Sequence, residues 1–495
     1  MMRLIGLRLC EHDSNISYFD GSRVRYFKSE RIRQEKHHGY NNFHSWKTDF
    51  IKLFGDDPDD VDEIAIAIDP WKHDLPQEEE EFFPAITYNH FSDNCYRINH
   101  HYAHALSCWT INDKKPDVEV VIDGFGDMNN AWSVFSNGRV MDRGYYYPDG
   151  SIGHEMAVAG ENIIGINYPA EQYDVASKLM GLQSYGEYVE EYAQTLPLSM
   201  RSIKDIFDIK KFDGPSLNWI RTVHDHIGKV LVDFFESIAD TDSIITYSGG
   251  VAQNVVWNTL LKKRFPNLII PPHCNDEGLS LGALEYLRIK NNLPKFELDD
   301  YPYCQTDIAP DDVPDGRTIR EVVEALRDGK TVGWYQGHGE IGPRALGNRS
   351  LLINPMIEGA RDTINKIKKR EPYRPFGASV LKEHQEEYFG TDIYNPHMLY
   401  VGNTKVKGLE SITHVDGTCR YQTVDESNPI YNNLLTRFYK ETNCPVLLNT
   451  SWNINGKPIM GDPDDTLNFT EEVDLIVVGN QIQRRVGSDS RYFQF

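Results

Sequence analysis

This 495-residue sequence predicts an α/β chain in two parts, the first of them internally duplicated. The duplication rests on a strand, an acidic tip and a hairpin with an Asp-Gly or Asn-Gly turn, which occur in that order twice. The second part is marked by an apolar run followed by GHGEIGPRALGNRS, residues 337–350, with four glycines, a proline and two arginines. Such a stretch is poor material for a core and suits the gripping of an anion.

The first copy opens with a strand over 3–9 and the polar tip His12-Asp13-Ser14. A hairpin over 14–19 and 23–28 follows, turned by Asp20-Gly21, which supplies the positive φ angles of a two-residue turn. Dense charge over 29–39 comes next, then DEIAIAID, 62–69, apolar enough for a central strand. The second copy has a strand over 118–122, the tip Asp123-Gly124-Phe125-Gly126-Asp127, and a hairpin over 131–135 and 139–143 turned by Asn137-Gly138. This is the layout of a duplicated ribonuclease-H-like unit, as in actin-like ATPase folds, where nucleotide lies in the cleft between the halves. Helices are predicted over 170–179 and 217–238. A strand over 243–247 is followed by Ser248-Gly249-Gly250 and a helix through Gln253 and Asn254 to Leu260. Exposed backbone N–H groups there would bind an anion or nucleotide; a plain strand–helix turn is the alternative. The run 268–272 leads to an acidic tip at Asp276 and a helix of small residues. Residues 285–317, rich in Asp, Pro and Asn, read as a linker, which places the domains at 1–300 and 318–480. In the second domain a helix over 318–327 precedes the strand 331–335 and the glycine-rich stretch. Further segments lie at 383–389 and 414–424, with a helix over 432–441 and a strand over 446–448 ending in NTSWN. From 479 onward the chain reads as a polar tail.

Composition narrows the class. Hydrophobic residues make up 40% and charged residues 25%, an ordinary globular balance. No apolar run reaches the roughly 18 residues of a membrane span, and the N-terminus becomes charged too soon for a signal peptide. Seven scattered cysteines without CxxC spacing read as reduced thiols of a cytoplasmic protein and speak against a cysteine metal site. The net charge of −23 means that the average surface does not attract duplex nucleic acid, although a local basic groove could still bind it.

Three constellations bear chemistry. His100 and His104 are four residues apart and share a face on a helix. With Asp123 and Asp276, each beside a strand end, they offer two imidazoles and two carboxylates, a donor set suited to Fe(II), Mn(II) or Zn(II) with positions left for ligand oxygens. A helix with solvated histidines is the alternative, and His101 points to another face. His12, beside Asp13, is a candidate general base for a hydroxyl nucleophile, or else a turn-stabilising histidine. The third is a cationic set, Arg344, Lys368, Lys369, Arg370, Arg374 and Arg420, with Asn449, Ser451 and Asn453. Arginine forks match phosphate oxygens bidentately, and Ser and Asn complete the shell. Pro372 and Pro375 stiffen the Arg374 loop.

These residues lie in motifs that resemble the NodU/CmcH-type O-carbamoyltransferases over nearly the whole chain. The motifs are HDS (12–14), SERIRQEKH (29–37), HHYAHA (100–105), VIDGFGD (121–127), KLMGLQSYG (178–186) and SGGVAQN (248–254). They continue with GEIGPRALGNRS (339–350), KKREPYRPF (368–376), THVDGTCRYQTV (413–424) and NTSWNINGKPI (449–459). The resemblance implies an actin-like N-terminal domain that holds nucleotide and a divalent metal, most often Fe(II), through His100, His104, Asp123 and Asp276. It implies a YrdC-like C-terminal domain that joins carbamoyl phosphate to ATP, which enters with Mg(II), as carbamoyl adenylate. An acceptor hydroxyl then takes the carbamoyl group in the first domain and AMP leaves. By motif position His12, Lys368 and Arg374 are catalytic. Gly249, Gly250 and Asn254 line the nucleotide cleft, and Arg344, Arg420, Asn449 and Ser451 hold carbamoyl phosphate and ATP. The chain departs from the family pattern at Asp127, where Glu is usual, and near Trp257, where a smaller residue is usual.

The acceptor is open. A sugar or natural-product alcohol suits the acidic surface. A hydroxymethylated pyrimidine, free or in DNA, would need a basic groove such as one near Lys36, His37 and His38. A different class, an actin-like ATPase or sugar kinase, would release ADP rather than AMP and would not need carbamoyl phosphate. The sequence is compatible with a homo-oligomer.

Overall fold

The computed structural model describes residues 2–9, 12–42, 44–68, 85–87, 94–112, 114–165 and 172–485. Contacts divide the chain into two compact units, Met1–Ser29 with His37–Asp299, and Glu30–Lys36 with Asp300–Phe495.

The first unit holds two sheets. One contains β1 (Leu4–Arg8), β2 (Asn15–Phe19), β3 (Val24–Lys28), β4 (Glu63–Ala67), β5 (Ala85–Thr87) and β6 (Cys95–Ile98), in the order β3-β2-β1-β4-β6-β5. The other contains β7 (Val118–Ile122), β8 (Asn130–Ser136), β9 (Arg139–Tyr145), β10 (Ile245–Ser248) and β11 (Leu268–Ile269), in the order β9-β8-β7-β10-β11. In both sheets a strand pairs antiparallel with the hairpin that follows it and parallel with the next strand in the chain. The second sheet therefore repeats the order and sense of the first, which is the duplicated ribonuclease-H-like arrangement. Each hairpin has its positive-φ glycine where the turn needs it, Gly21 at 98° and Gly138 at 73°. Of the strand expected over 62–69, Glu63–Ala67 is extended, and Asp69 lies outside the described residues.

Helices of this unit include α1 (His100–Ser107), α2 (Gln172–Leu182), α3 (Ser216–Ile238), α4 (Val255–Arg264) and α5 (Leu279–Lys290). The helix expected from 170 has its first two residues outside the described ones. α5 replaces the start of the expected linker: residues 285–290 remain helical, with Leu287 fully buried. Small residues let α5 lie close to its neighbours. A Cβ on Gly6 of β1 would sit 2.0 Å from Ser280 O, and one on Gly282 would sit 1.8 Å from Ala103 O of α1.

The second unit is one eight-stranded mixed sheet. It comprises β12 (Val332–Tyr335), β13 (Arg349–Ile353), β14 (Gly377–Leu381), β15 (Val401–Asn403), β16 (Thr418–Val424), β17 (Val446–Ser451), β18 (Leu475–Val478) and β19 (Gln481–Arg484). The order is β15-β16-β14-β17-β13-β12-β18-β19. Helices α6 (Gly316–Arg327), α7 (Ala360–Lys368) and α8 (Pro429–Thr442) contribute Val322, Ile364 and Leu434 to the core around Trp334, Leu351 and Leu447. Asp315 caps α6 by accepting from the Arg317 and Thr318 amides. Two expectations are corrected. The stretch read as linker is in part built into this unit: Asp307 forms a buried ion pair with Arg349 at 2.8 Å, and the Tyr303 hydroxyl donates to Leu346 O at 3.0 Å. The polar tail begins as β19, paired antiparallel with β18. In both places side-chain and backbone pairing fixes a segment that has no apolar periodicity.

Gly6→Ala is expected to destabilise the protein by about 2 kcal/mol through overpacking. Gly316→Ala, whose Cβ would meet nothing within 4 Å, is expected to change stability by less than about 0.5 kcal/mol. Thermal unfolding of the two variants compares them.

Candidate active site

Two sites emerge, one in each unit. In the first unit α1 carries the histidine pair. Asn99 caps the helix by accepting from the Tyr102 amide, and Asp127 Oδ2 accepts from the His100 amide at 2.7 Å. Asp127 also meets Arg97 at 2.9 Å, so the shorter acid at this position still anchors the helix start. One helical turn puts His100 and His104 on the same face. Asp123 directly follows β7, and Asp276 opens the turn before α5. His100 Nε2 lies 3.0 Å from Asp123 Oδ2 and 3.5 Å from Asp276 Oδ1; His104 Nε2 lies 3.3 Å from each of the same oxygens. The four donor atoms all lie within 4.8 Å of one another.

The remaining carboxylate oxygens are committed elsewhere. Asp123 Oδ1 accepts from the amides of Gly124 at 2.8 Å and Gly250 at 2.9 Å, and Asp276 Oδ2 pairs with Arg8 at 3.2 Å. Each acid thus turns one oxygen to the protein and one to the common centre, and the bonds to the outer oxygen fix the direction of the inner one. Among the described residues both nitrogens of buried His104 lack a hydrogen bond. That orphaned imidazole and the N2O2 donor set fit a divalent metal. Burial disfavours a charged imidazole, yet Asp276 and Asp123 push His100 up to about 10. Burial also opposes ionisation of the acids, but the two histidines hold both carboxyls well below the ordinary range. His101 faces away, bonded to Ser133 Oγ at 2.9 Å.

The glycine pair supports this centre. Gly249 has φ 92°, and a Cβ there would strike Ile122 O at 2.2 Å. The helix begins later than its sequence suggests. Residues 250–253 form a 3-10 turn, and Asn254 is the N-cap of α4, accepting from the Val256 and Trp257 amides. Its amide donates to His224 Nε2 at 3.0 Å. The Gly250 N–H that sequence reading left open for a ligand is spent on Asp123.

His12 stands beside the centre. Its Nδ1 bonds Asp13 at 2.9 Å, and its Nε2 is 3.8 Å from Asp276 Oδ2. Burial would raise the Asp13 carboxyl, but Lys28 at 3.0 Å and the imidazoles of His37 and His12 bring it well below its usual range. Asp13 therefore remains a carboxylate that can fix the His12 tautomer.

In the second unit the cations converge. Register places Arg420 of β16 opposite Gly377 of β14, and Gly377 opposite Asn449 of β17, a row across three strands. Lys368, the last residue of α7, is buried. Its Nζ bonds the carbonyl oxygen and hydroxyl of Ser451, and Asn453 O at 3.0 Å and Oδ1 at 2.8 Å. All these acceptors are neutral. Arg370 lies 3.9 Å over the Phe376 ring and donates to Arg374 O and Pro375 O, bracing the Arg374 loop. Arg374 is about a quarter exposed, with Glu371 Oε2 at 3.5 Å. Burial, Arg370, Arg374 and Lys36 push the Lys368 ammonium well below its ordinary value. Burial and Arg374 bring Arg370 down to about 9, and burial with Arg344 and Arg370 depresses Arg420 strongly. Buried Arg420 Nε has no hydrogen-bond acceptor among the described residues. Crowded like charges facing mainly neutral acceptors are relieved by an anion with several oxygens. Asn449 is fully buried, its amide shared between Ser379 Oγ and Gln422 Oε1, so it supports the row from beneath. Of the two arginines in the glycine-rich stretch, Arg349 is a buried strut, bonded to Asp307 and to the carbonyls of Gln336 and Gly337. Sequence reading missed Asp307 because its partner lies on a strand 42 residues away.

The fold and the two clusters define an α/β protein with one site suited to a divalent metal and another suited to a phosphate-bearing anion. Comparison with known proteins narrows this class. A family model described as Carbamoyltransferase C-terminus matches residues 323–485. Nodulation protein NolO of Bradyrhizobium diazoefficiens is 30% identical over 452 residues, covering 78% of this chain and 79% of that protein. Nodulation protein NolNO of Sinorhizobium fredii is 29% identical over 79% of this chain, which spans 64% of that protein's length. A 3'-hydroxymethylcephem-O-carbamoyltransferase of Amycolatopsis lactamdurans is 37% identical over 255 residues, 48% of this chain and 49% of that one. The chain belongs to the NodU/CmcH-type carbamoyltransferase family.

In the metal-free protein the raised His100 pKa means that folding favours its protonated form. Its contribution to stability is full below 6.5, its ordinary value, and is lost as pH rises through about 10. His100→Asn is expected to flatten the dependence of the unfolding midpoint on pH in that window, measured in the presence of a chelator.

Proposed function

We propose that this chain is an O-carbamoyltransferase that uses ATP and carbamoyl phosphate and modifies the hydroxyl of a small molecule. The principal observation is the cationic row of the second unit, with Lys368 buried among neutral acceptors and pressed by Arg370 and Arg374. Carbamoyl phosphate and the ATP phosphates are the anions assigned to it, held by Arg344, Lys368, Arg374, Arg420 and Ser451. There carbamoyl phosphate loses phosphate to water, and the carbamate oxygen formed attacks the α-phosphorus of ATP. Pyrophosphate leaves and carbamoyl adenylate remains. Lys368 and the arginines neutralise charge that builds on the phosphoryl oxygens.

The second step is assigned to the first unit. His12 Nε2 takes the proton of the acceptor hydroxyl, with Asp13 holding Nδ1 and stabilising the imidazolium. The hydroxyl oxygen bonds to the carbamoyl carbon, and AMP leaves with the electron pair. His100, His104, Asp123 and Asp276 would hold a divalent metal, which when bound supplies positive charge for phosphate oxygens. Gly249, Gly250 and Asn254 enter as supports of Asp123 and of the α4 start, and through them of the nucleotide. A hydroxymethyl group on a small molecule is the acceptor class favoured here. The name of the cephem carbamoyltransferase points the same way, as does the net charge of −23.

Incubation with ATP, carbamoyl phosphate and a divalent metal is expected to yield AMP and pyrophosphate. Release of ADP instead would favour an actin-like ATPase or kinase. Lys368→Ala is expected to slow pyrophosphate release about 100-fold or more. His104→Ala is expected to lose bound metal, read by elemental analysis, and to stop carbamoyl transfer while leaving pyrophosphate release intact. Equal rates for Lys368→Ala and the parent protein would sink the phosphate-site assignment.

A further inference from the structure

The loop that presents Arg344 is irregular, with Gly337, Gly342 and Gly347 at positive φ, and it belongs to no helix or named strand, touching strand-like pairing only at the isolated bridge of Gly339 to Gln305. Besides the Arg349 and Tyr303 contacts described above, two buried charges hold the stretches on either side of Arg344. Glu340 is fully buried, and its Oε1 accepts from three backbone amides beyond Arg344: Leu346 at 2.7 Å, Asn348 at 2.8 Å and Arg349 at 3.1 Å. Arg31, 2% exposed, donates to Glu340 O at 3.2 Å and Gly342 O at 2.9 Å on the near side of the loop. Arg344 thus lies between two clamped stretches. Arg31 reaches this place because residues 30–36 belong to the second unit. Lys457 Nζ donates to Gln34 O at 3.1 Å, and a Cβ on Gly461 would meet Arg31 O at 2.6 Å, so the segment is seated closely. Lys36 adds positive charge that bears on Lys368.

We propose that Arg31 and Glu340 are positioning residues for Arg344, and that residues 30–36 are thereby a working part of the carbamoyl phosphate site. This rests on the first-step reading given above. Neither side chain is assigned a contact with substrate. Their effect passes through the loop path, where a shift of roughly 1 Å in a phosphate-binding guanidinium costs up to about 100-fold.

The test uses the full chain and pyrophosphate release at saturating ATP. Arg31→Lys keeps the charge but cannot reach both carbonyls, and Glu340→Gln keeps the shape but weakens the three-amide clasp. Each is expected to raise KM for carbamoyl phosphate about tenfold or more while kcat changes less than about threefold. On an Arg344→Lys background neither change should raise KM further, because its route of action is already gone. A lowered unfolding midpoint with unchanged KM, or effects that simply add to that of Arg344→Lys, would overturn the proposal. If Arg31→Lys fails to fold, Glu340→Gln decides. Should Arg344→Lys itself leave KM unchanged, the anion-site reading fails. Should it raise KM while the other two do not, only this inference fails.

Discussion

The divided commitment of Asp123 is the constraint on which the first unit depends. One oxygen is held by the Gly124 and Gly250 amides, and the other faces two imidazoles. This requires the ends of β7 and β10 to lie side by side, which their parallel pairing supplies. It also requires α1 to run past the strand ends, which depends on how closely Gly282 lets α5 approach Ala103. The duplicated sheet is thus a means of bringing one carboxylate, one amide and one helix face to a point. The residues that do so are far apart in sequence, but Asp123 and Gly250 follow strand ends and His100 opens α1, with His104 one turn on.

The second unit solves the opposite electrostatic problem. The first cluster balances two acids against two imidazoles. The second concentrates Lys368, Arg370, Arg374 and Arg420 with little countercharge. Holding such a group together is unfavourable on its own, and the eight-stranded sheet with its large core supplies the stability that permits it. Neutral acceptors such as Asn453 Oδ1 keep Lys368 in place without cancelling its charge. The result is a crowded cationic cluster whose electrostatic strain a bound anion would relieve.

Much of this was legible in the sequence, for reasons that differ by element. The hairpins at Asp20-Gly21 and Asn137-Gly138 announce themselves by turn chemistry, and the strands before them by apolar runs. His100 and His104 were readable because four residues is one helical turn. What could not be read was pairing between distant polar residues. Asp307 sat in a stretch with no periodicity, yet its partner Arg349 holds it buried. The role of Gly250 was half visible: the strand and glycines were clear, but the 3-10 turn that sends its N–H to Asp123 depends on Asn254 capping the later helix. The Asp127 departure proved mild, since Asp127 still reaches both Arg97 and the His100 amide.

The placement of residues 30–36 in the second unit has a consequence for how the chain is made. These residues leave the ribosome among the first, while the strands that complete the sheet around them are among the last, β18 and β19 ending at Arg484. Folding therefore cannot proceed strictly domain by domain along the nascent chain. The first unit can form β1 to β3, but the segment between Lys28 and His37, helical over Ser29–Arg33, must wait for several hundred residues before Gly461 and the Arg344 loop exist to receive it. A fragment running from residue 300 onward would keep every strand of the eight-stranded sheet and still lack a buried guanidinium that bonds the carbonyls of its Arg344 loop.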